Sequence, residues 1–574
     1  VGLFSLFNIG GQALSANETA LQVIGQNIAN ASNPDYTRQR VSMATTPAQD
    51  VGYAQLGTGV VIAGIERVMN AALEERIDDA ESSYAEFNAR LDILSNIESI
   101  FNELSETDLS SALGAFYDAL DELSTSPNDN SVRLELLSAG ESLAASFNYI
   151  LVELNNIREN ADNSVQVAVS DINALTASIA DLNQQIMVAE NGGINQGDAN
   201  DLRDRRDAMI TEISQIVDVR AIETSDGAVN ILAGSDFLVC GNSSYDLMAT
   251  QDADNGVLVS TVEFEHNGAD LTINGGILDG LIYGRDTDAV SFITDINTMA
   301  QTLINEVNLI HSEGLGIDGL SDVTSESAVS SALTALDAAG LNFDVVNGSF
   351  MIHVRNENTG ETDIVNISVD LDDIGTDSTL TSIVAEINTE LIAVLGTSPP
   401  ITASVTNTNK LNIASSSDNY TFSFADDTSG FLAAIGMNTF FTGYDALTMG
   451  VNSALTDNPD LIAAASQSAP GGNANALRLA QLREEQVFDN GSATFDEYYQ
   501  GVVSTLGVEV SSAQDKVENQ SALLLSLQNE HEAISGVNID EETINLLQYQ
   551  RGYQAAAQLI AVADNLLETL LNIL

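Results

Sequence analysis

Hydrophobic residues recur every seven positions at both ends of the chain. Near the N-terminus the row is Phe7, Leu14, Leu21 and Ile28, with Leu3, Gly10, Asn17 and Ile24 interleaved. At the C-terminus it is Leu546, Tyr553, Ile560, Leu567 and Leu574, with Tyr549, Ala556, Ala563 and Leu570 between them. A sustained heptad predicts helices that pack along a seam. Heptads inside the chain predict more. One helix begins near Glu66 and carries Leu73, Ala80, Phe87, Leu94 and Phe101. A second follows Pro127 with Phe147, Leu154, Ala161, Ala168, Leu175 and Leu182, and breaks at Gly192-Gly193. Others run from about Asp201 to Val217, from Gly276 to about Ser312, and from about Pro459 through Val510, Val517 and Leu524. The longest of these tracts far exceed the average helix of about 11–12 residues, which points to a rod or bundle.

Between Val219 and Gly275 the period changes to two, with Val229-Asn230-Ile231-Leu232 and Val257-Leu258-Val259 as strands. Asp254-Asn255-Gly256 is a hairpin turn signal. Ser349 to Val354 and Ile364 to Val369 also alternate, Leu380 to Leu391 reads as a helix, and Ile401 to Phe424 as further strands. The expected fold is multidomain α plus β. Residues 1–36 and 537–574 are paired terminal assembly helices. Residues 37–217, 276–315 and 450–536 form a long-helix rod domain, 218–275 a β-rich domain, and 316–449 an inserted α+β variable module. Such a chain goes out and returns, so its two ends pair.

Charge sharpens this layout. The chain has 83 acidic against 18 basic residues, a formal net charge of −65. Yet Glu18 is the only ionisable side chain before Pro34, and Arg551 the only one between Thr543 and Ala563. A solvated helix carries a charged face. These two lack one, so each needs partners on more than one side, and assembly rather than catalysis is expected. An acidic surface argues against nucleic acid and against anionic membranes, so no nucleic acid and no membrane partner is expected. A salty environment that screens self-repulsion and a drift in composition both account for the acidity. No apolar run is long enough for a transmembrane helix. The first basic residue is Arg38, whereas a signal peptide opens with positive charge, so no secretory signal is expected.

Signals for chemistry are weak. Cys240, the single cysteine, ends the apolar run Phe237-Leu238-Val239 and is expected to be a buried small hydrophobe. His266, His311, His353 and His531 show no ligand spacing. Glu530-His531-Glu532-Ala533-Ile534-Ser535 opens like a zinc-protease helix but has Ser535 where the second His belongs. The Gly-Gly pairs lack phosphate-loop spacing and are read as helix ends. No catalytic residue, metal or cofactor is expected.

Several blocks together resemble the hook-associated protein 1 (FlgK) family of flagellar axial proteins. Asn27-Ile28-Ala29-Asn30 followed by Asn33-Pro34-Asp35-Tyr36 and Arg38 is similar to the rod–hook motif, with Asn33 and Asp35 where Thr and Gly are usual. Asn27, Asn30, Pro34, Tyr36 and Arg38 carry that likeness. Asp201 to Asp207, Gly275 to Asp286, Val307 to His311, Asn473 to Leu477 and Gly536 to Ala557 narrow it. The resemblance covers about 1–315 and 450–574. It implies a secreted structural subunit that leaves through the flagellar type III apparatus and forms a ring of copies at the hook tip. Its implied partners are itself, hook protein, the second junction protein FlgL and the export chaperone FlgN. A hook or distal-rod protein, and a flagellar scaffold whose insert is adhesive, are the alternatives. Two further expectations follow. An acidic residue at Ile560 leaves the isolated chain folded but blocks attachment, because that seam serves only between subunits. Removing 318–442 spares export and ring formation.

Overall fold

A computed structural model describes residues 3–50, 55–101, 108–191, 199–254, 256–372, 374–466, 471–488 and 491–573, with side chains from Phe4 to Thr569. Leu570, Leu574, Leu3, Asn255 and Gly192-Gly193 fall outside the described side chains. The α-helices are α1 (Leu3–Ala29), α2 (Ala71–Phe101), α3 (Leu109–Thr125), α4 (Asn130–Ala189), α5 (Asn200–Ile216), α6 (Gly276–Tyr283), α7 (Ala289–Ser312), α8 (Leu380–Leu395), α9 (Phe431–Ile435), α10 (Ser453–Asp457), α11 (Ala474–Gln481), α12 (Phe495–Ser535) and α13 (Ile539–Ile573). Small antiparallel sheets lie between them. The fold is multidomain α plus β. Two compact units result: Val1–Leu94, Arg158–Thr287 and Val510–Leu574 form one, Ser95–Ile157 and Asp288–Glu509 the other.

In the first unit, strand Gln39–Thr45 pairs antiparallel with Val60–Arg67, and Arg40 faces Glu66. That pairing holds Glu66 in a strand, so α2 starts at Ala71 rather than near Glu66. Leu73, Ile77 and Ala80 of α2 pack with Leu524 and Leu527 of α12. A four-stranded sheet (220–223, 229–233, 236–240, 243–244) and the hairpin of Leu247–Asp254 with Val257–Phe264 follow α5. Two asparagines stitch α4 to these strands. Asn183 donates to the carbonyls of Val229 and Gly241, and Asn173 donates to that of Leu247. Cys240 is exposed, contrary to expectation. It ends its strand opposite Ser243, and the core takes Leu238 and Val239 instead.

Buried ion pairs hold the middle of this unit. A π-helical turn, Gly284–Asp288, joins α6 to α7 and turns Arg285 inward. Arg285 pairs with Asp162 of α4 at 2.6 Å and with Asp286 at 2.7 Å. Burial alone would raise the Asp162 carboxyl, but hydrogen bonds from Ser260, Gln166 and Gln251 outweigh it and hold the group below the usual range. The fully buried Arg158 donates to the Arg285 carbonyl and to Asp254.

The second unit contains α3, which the heptad reading passed over. Asp108 caps its first turn, and Leu109, Leu113, Phe116 and Leu120 line one buried face. Among the described residues after Pro459, a short 3-10 turn precedes α11 and a second, Leu482–Glu484, precedes α12. Between Leu320 and Met437 lies a separate apolar core, formed by two three-stranded sheets and α8. Polar groups of α8 close the edges of both sheets. Glu386 accepts from the Ser368 amide, and Asn388 bonds both the amide and the carbonyl of Ala403.

The end of α7 is anchored by side chains. His311 is fully buried; its Nδ1 lies 2.8 Å from the Asn438 carbonyl and its Nε2 accepts from the Ala463 amide. The ring is therefore neutral, with its proton on Nδ1. Asn438 donates toward the carbonyls of His311, Ser312 and Gly314 at the helix end, and Asn308 bonds the backbone of Phe440 and Phe441. Those two rings pack against Phe116 at tilted angles. Residues from Asn438 on thus belong to the helical packing, not to the apolar core of the insert.

Burial lowers the His311 pKa from 6.5 to about 4. The unfolded chain takes up this proton near pH 6.5 and the folded chain only near pH 4. The stability it contributes is present above about pH 6.5 and is lost as pH falls toward 4, by about 3 kcal/mol in all. His311→Gln should lower stability at pH 7 and reduce its loss between pH 7 and pH 4 by about that amount. Urea unfolding of both proteins at a series of pH values checks it; parallel curves would refute it.

Candidate functional site

Helices α1 and α13 pack antiparallel, and three contacts set the register. A Cβ on Gly10 would lie 2.8 Å from Ile560 Cγ1, and one on Gly552 would lie 2.5 Å from Asn17 Oδ1. Asn27 bonds Glu542 at 3.1 Å. Small residues at the crossing let the backbones approach, so the buried line runs through Gly10, Ala16, Ala20, Val23 and Ile24 and meets Ala556 and Ala563. The large heptad residues flank this line. Phe7, Leu14, Leu21, Ile28, Leu546, Tyr549, Ile560 and Leu567 are half-buried, and Tyr553 is exposed. Ile560 therefore packs on Gly10 of its own chain, which corrects the expectation that this position serves only between subunits. The surface left over mixes apolar side chains, Phe4 on α1 and Ile544, Leu547, Val562 and Leu566 on α13, with uncharged polar ones such as Asn8, Gln12, Gln548 and Gln554, all exposed.

A polar clasp closes the pair where α1 ends. Asn30 folds back to the Gln26 carbonyl as the helix stops, and Asn33 makes the turn by accepting from the Asp35 amide, with Pro34 exposed between them. The turn brings Tyr36 and Arg38 beside Asn27. The fully buried Asn27 donates to the Gln39 carbonyl and to Glu542, and accepts from the Gln39 amide and the Tyr36 hydroxyl at 2.8 Å. All of its hydrogen-bonding capacity is used. Burial, with Asp204, Asp201 and Glu542 nearby, pushes the Tyr36 hydroxyl well above its usual pKa and keeps it a donor. Arg38 donates through Nε to Glu542 at 3.0 Å and pairs with Glu541 at 3.2 Å. Its amide bonds the Ser535 carbonyl at the end of α12.

The C-terminal half of the clasp has its own local logic. Asn538 caps α13 by accepting from the amides of Asp540 and Glu541. Asp540, Glu541 and Glu542 occupy the first turn, where the helix dipole favours acids. Only Glu542 turns inward, to 2 % exposure. Beside the motif, Arg67 bridges Asp204 and Asp207 of α5 at 3.0 and 2.6 Å, and the Thr37 amide points to Asp204. Arg203 holds the buried Glu190 with two 2.8 Å bonds and reaches Glu223 at 2.7 Å. The arrangement can fasten helices together. Among the described residues no group of His, Cys, Asp and Glu is placed to hold a metal ion.

Residues 94–324 match the model of the flagellar hook-associated protein FlgK helical domain, and 528–573 that of the flagellar basal body rod FlgEFG protein C-terminal region. The chain is 27 % identical to flagellar hook-associated protein 1 of Bacillus subtilis, over 98 % of this chain and 96 % of that protein. Against flagellar hook-associated protein 1 of Salmonella typhimurium it is 26 % identical, over 99 % of this chain and all of that protein. Over nearly its whole length the chain is similar to members of the hook-associated protein 1 family. The solved structure of the flagellar hook junction protein FlgK from Burkholderia pseudomallei shares the fold, at a TM-score of 0.52 and 15 % identity, over 80 % of this chain and all of that one. The family is one of structural flagellar proteins.

Within that family frame, Asn27, Tyr36 and Arg38 meet at one point, Asn30 shapes the turn, and Pro34 makes no bond to the clasp. Glu542 was not singled out by sequence reasoning. It is one of three consecutive acids, and its partner Arg38 lies 504 positions away. Removing it strands Arg38 and Asn27 in a largely buried place. Glu542→Ala should destabilise the first unit by about 2–3 kcal/mol, whereas Glu541→Ala, at an exposed partner, should cost about 0.5 kcal/mol or less. Thermal and denaturant melting of both variants distinguishes them; equal losses would count against the clasp.

Proposed function

We propose that the chain is the structural subunit joining the flagellar hook to the filament, assembling as a ring of copies at the hook tip after type III export. One observation carries this reading. In a chain of charge −65, the outer face of the paired terminal helices carries almost no charge along its middle and exposes Phe4, Ile544, Leu547, Val562 and Leu566. Like-charged copies repel across any acidic surface, so close packing concentrates on the faces that lack charge. Each exposed Leu, Ile or Val buried there contributes about 1.5–3 kcal/mol. The copies meet one another, hook protein and the second junction protein FlgL through this face. The same apolar surface is hazardous before assembly, which suits a chaperone such as FlgN holding the C-terminal segment. Phe7, Leu14, Leu21, Ile24, Ile28, Leu546, Tyr549, Tyr553, Ile560, Leu567 and Leu570 are the proposed assembly residues.

The exposed position Val562, rather than Ile560, is the clean test. Val562→Asp should change the melting temperature of the isolated chain by no more than about 2 °C and abolish filament attachment, seen as bare hooks by electron microscopy in a strain lacking its own junction protein. Ile560→Asp should lower the melting temperature as well. Intact filaments with Val562→Asp would exclude this face.

Asn438 lies within hydrogen-bond reach of Gly314, so the chain on either side of the insert is close together. Deleting 318–436 with a short linker should preserve attachment, whereas deleting 318–442 also removes the bonds to His311 and Asn308 and should destabilise the second unit. Filament counts and melting curves of the two deletions check it, and bare hooks with the shorter deletion would overturn the idea that the insert is dispensable for joining.

A further inference from the structure

The strand Gly348–Asn356 places Phe350, Ile352 and Val354 in the core of the insert and sends His353 and Arg355 to the opposite face. The segment Leu315–Gly319 runs over that face and leaves a cavity of about 80 Å³, lined by His353, Arg355, Glu357 and Thr421 among others. Two nitrogens in its wall lack hydrogen-bond partners within the chain. His353 is 8 % exposed, and its Nε2 is buried and unpartnered. Arg355 Nε is likewise buried and unpartnered. It lies 3.5 Å from Glu357 Oε2, which is an ion-pair separation but not a hydrogen bond. Leaving a buried donor unsatisfied is costly, and buried polar groups in folded proteins are nearly always paired.

We infer that this cavity takes a small carboxamide group. Its wall offers a fixed donor, Arg355 Nε, a fixed acceptor, the Glu357 carboxylate, and an imidazole nitrogen that serves either way. A carboxamide presents a carbonyl and an amino group side by side and matches that mixed set. An oxyanion meets Glu357, with Asp426 close to His353, and a cation meets the Arg355 guanidinium. The volume is several times the roughly 10–15 Å³ that a single water needs, so a group of a few non-hydrogen atoms fits. Burial lowers the His353 pKa against the pull of Asp426, so the ring is neutral at pH 7 and a neutral ligand leaves the local charge unchanged.

The full chain has four histidines, so ring-labelled protein gives few resonances, and His353→Gln identifies the one in question. Titration with acetamide at fixed ionic strength should shift it saturably, with half-saturation at about 1–10 mM. Acetate and methylammonium should leave it unmoved over the same range. Arg355→Met should weaken the acetamide response at least tenfold while circular dichroism stays unchanged; if that variant does not fold, Glu357→Gln serves as the second test, with the same expected weakening. A glutamine-containing tripeptide separates the two sources of the group: binding tighter than acetamide marks a partner's side chain, and exclusion of the peptide marks a free small amide. A response to acetate but not acetamide, or to none of the three probes, would overturn the proposal; the latter would mean a cavity filled by water.

Discussion

A single buried carboxylate, Glu542, ties the ends of this chain together. An ionised group removed from water is tolerated only where it is paired and fully hydrogen-bonded. The partners it finds, Arg38 and Asn27, both belong to the N-terminal motif. The antiparallel register of α1 on α13, the turn through Asn33 and Pro34, and the approach of Arg38 to the end of α12 all converge on it. Along the rest of the crossing the contact is steric, through Gly10 against Ile560 and Gly552 against Asn17. One end of the helix pair is specified by charge, the remainder by the absence of side-chain bulk.

The scarce cations of this chain are placed with the same economy. Arg133, Arg158, Arg203, Arg206 and Arg285 are all buried, and Arg67 sits between Asp204 and Asp207. Arginine suits such places because its planar fork bonds several acceptors at once and keeps its charge. Arg133 shows the pattern without a carboxylate, donating to the carbonyls of Pro127, Pro459 and Ile462. With so many of the 18 basic residues turned inward, little positive charge remains to offset the acids outside. The surface is therefore more acidic than composition alone suggests, and the charge-poor helical face stands out more sharply against it.

The long helices were legible because a heptad over many turns has no other reading; α4 runs for 60 residues as its apolar spacing implies. Which heptad row faces inward was not legible. Bulk suggests that Phe7, Leu14, Leu21 and Ile28 form the seam, but two helices approach most closely where side chains are small, and the large row is displaced to the flanks. Short α3 escaped although it is as long as α5, at 17 residues, and although Asp108 and the Leu109, Leu113, Phe116 face were there to be read. Cys240 escaped because a strand that ends beside a tight turn loses its alternation. Contacts between residues hundreds of positions apart, such as Arg38 with Glu542 or His311 with Asn438, leave no local trace. The motifs around them marked the places without revealing the bonds.

The acidic surface and the apolar helical face are two parts of one physical arrangement. Repulsion between acidic copies falls with ionic strength, over a Debye length of about 8–10 Å in physiological salt. Apolar contact acts only at touching distance and does not depend on that screening. Copies of such a chain stay apart in dilute solution, where repulsion reaches furthest. On the proposed function, they join when something holds them close enough for the charge-poor faces to meet. A pre-existing template supplies that proximity in the manner of a tethered binding partner, by raising the effective local concentration. A subunit built this way is biased against assembling alone and toward assembling on a template already in place.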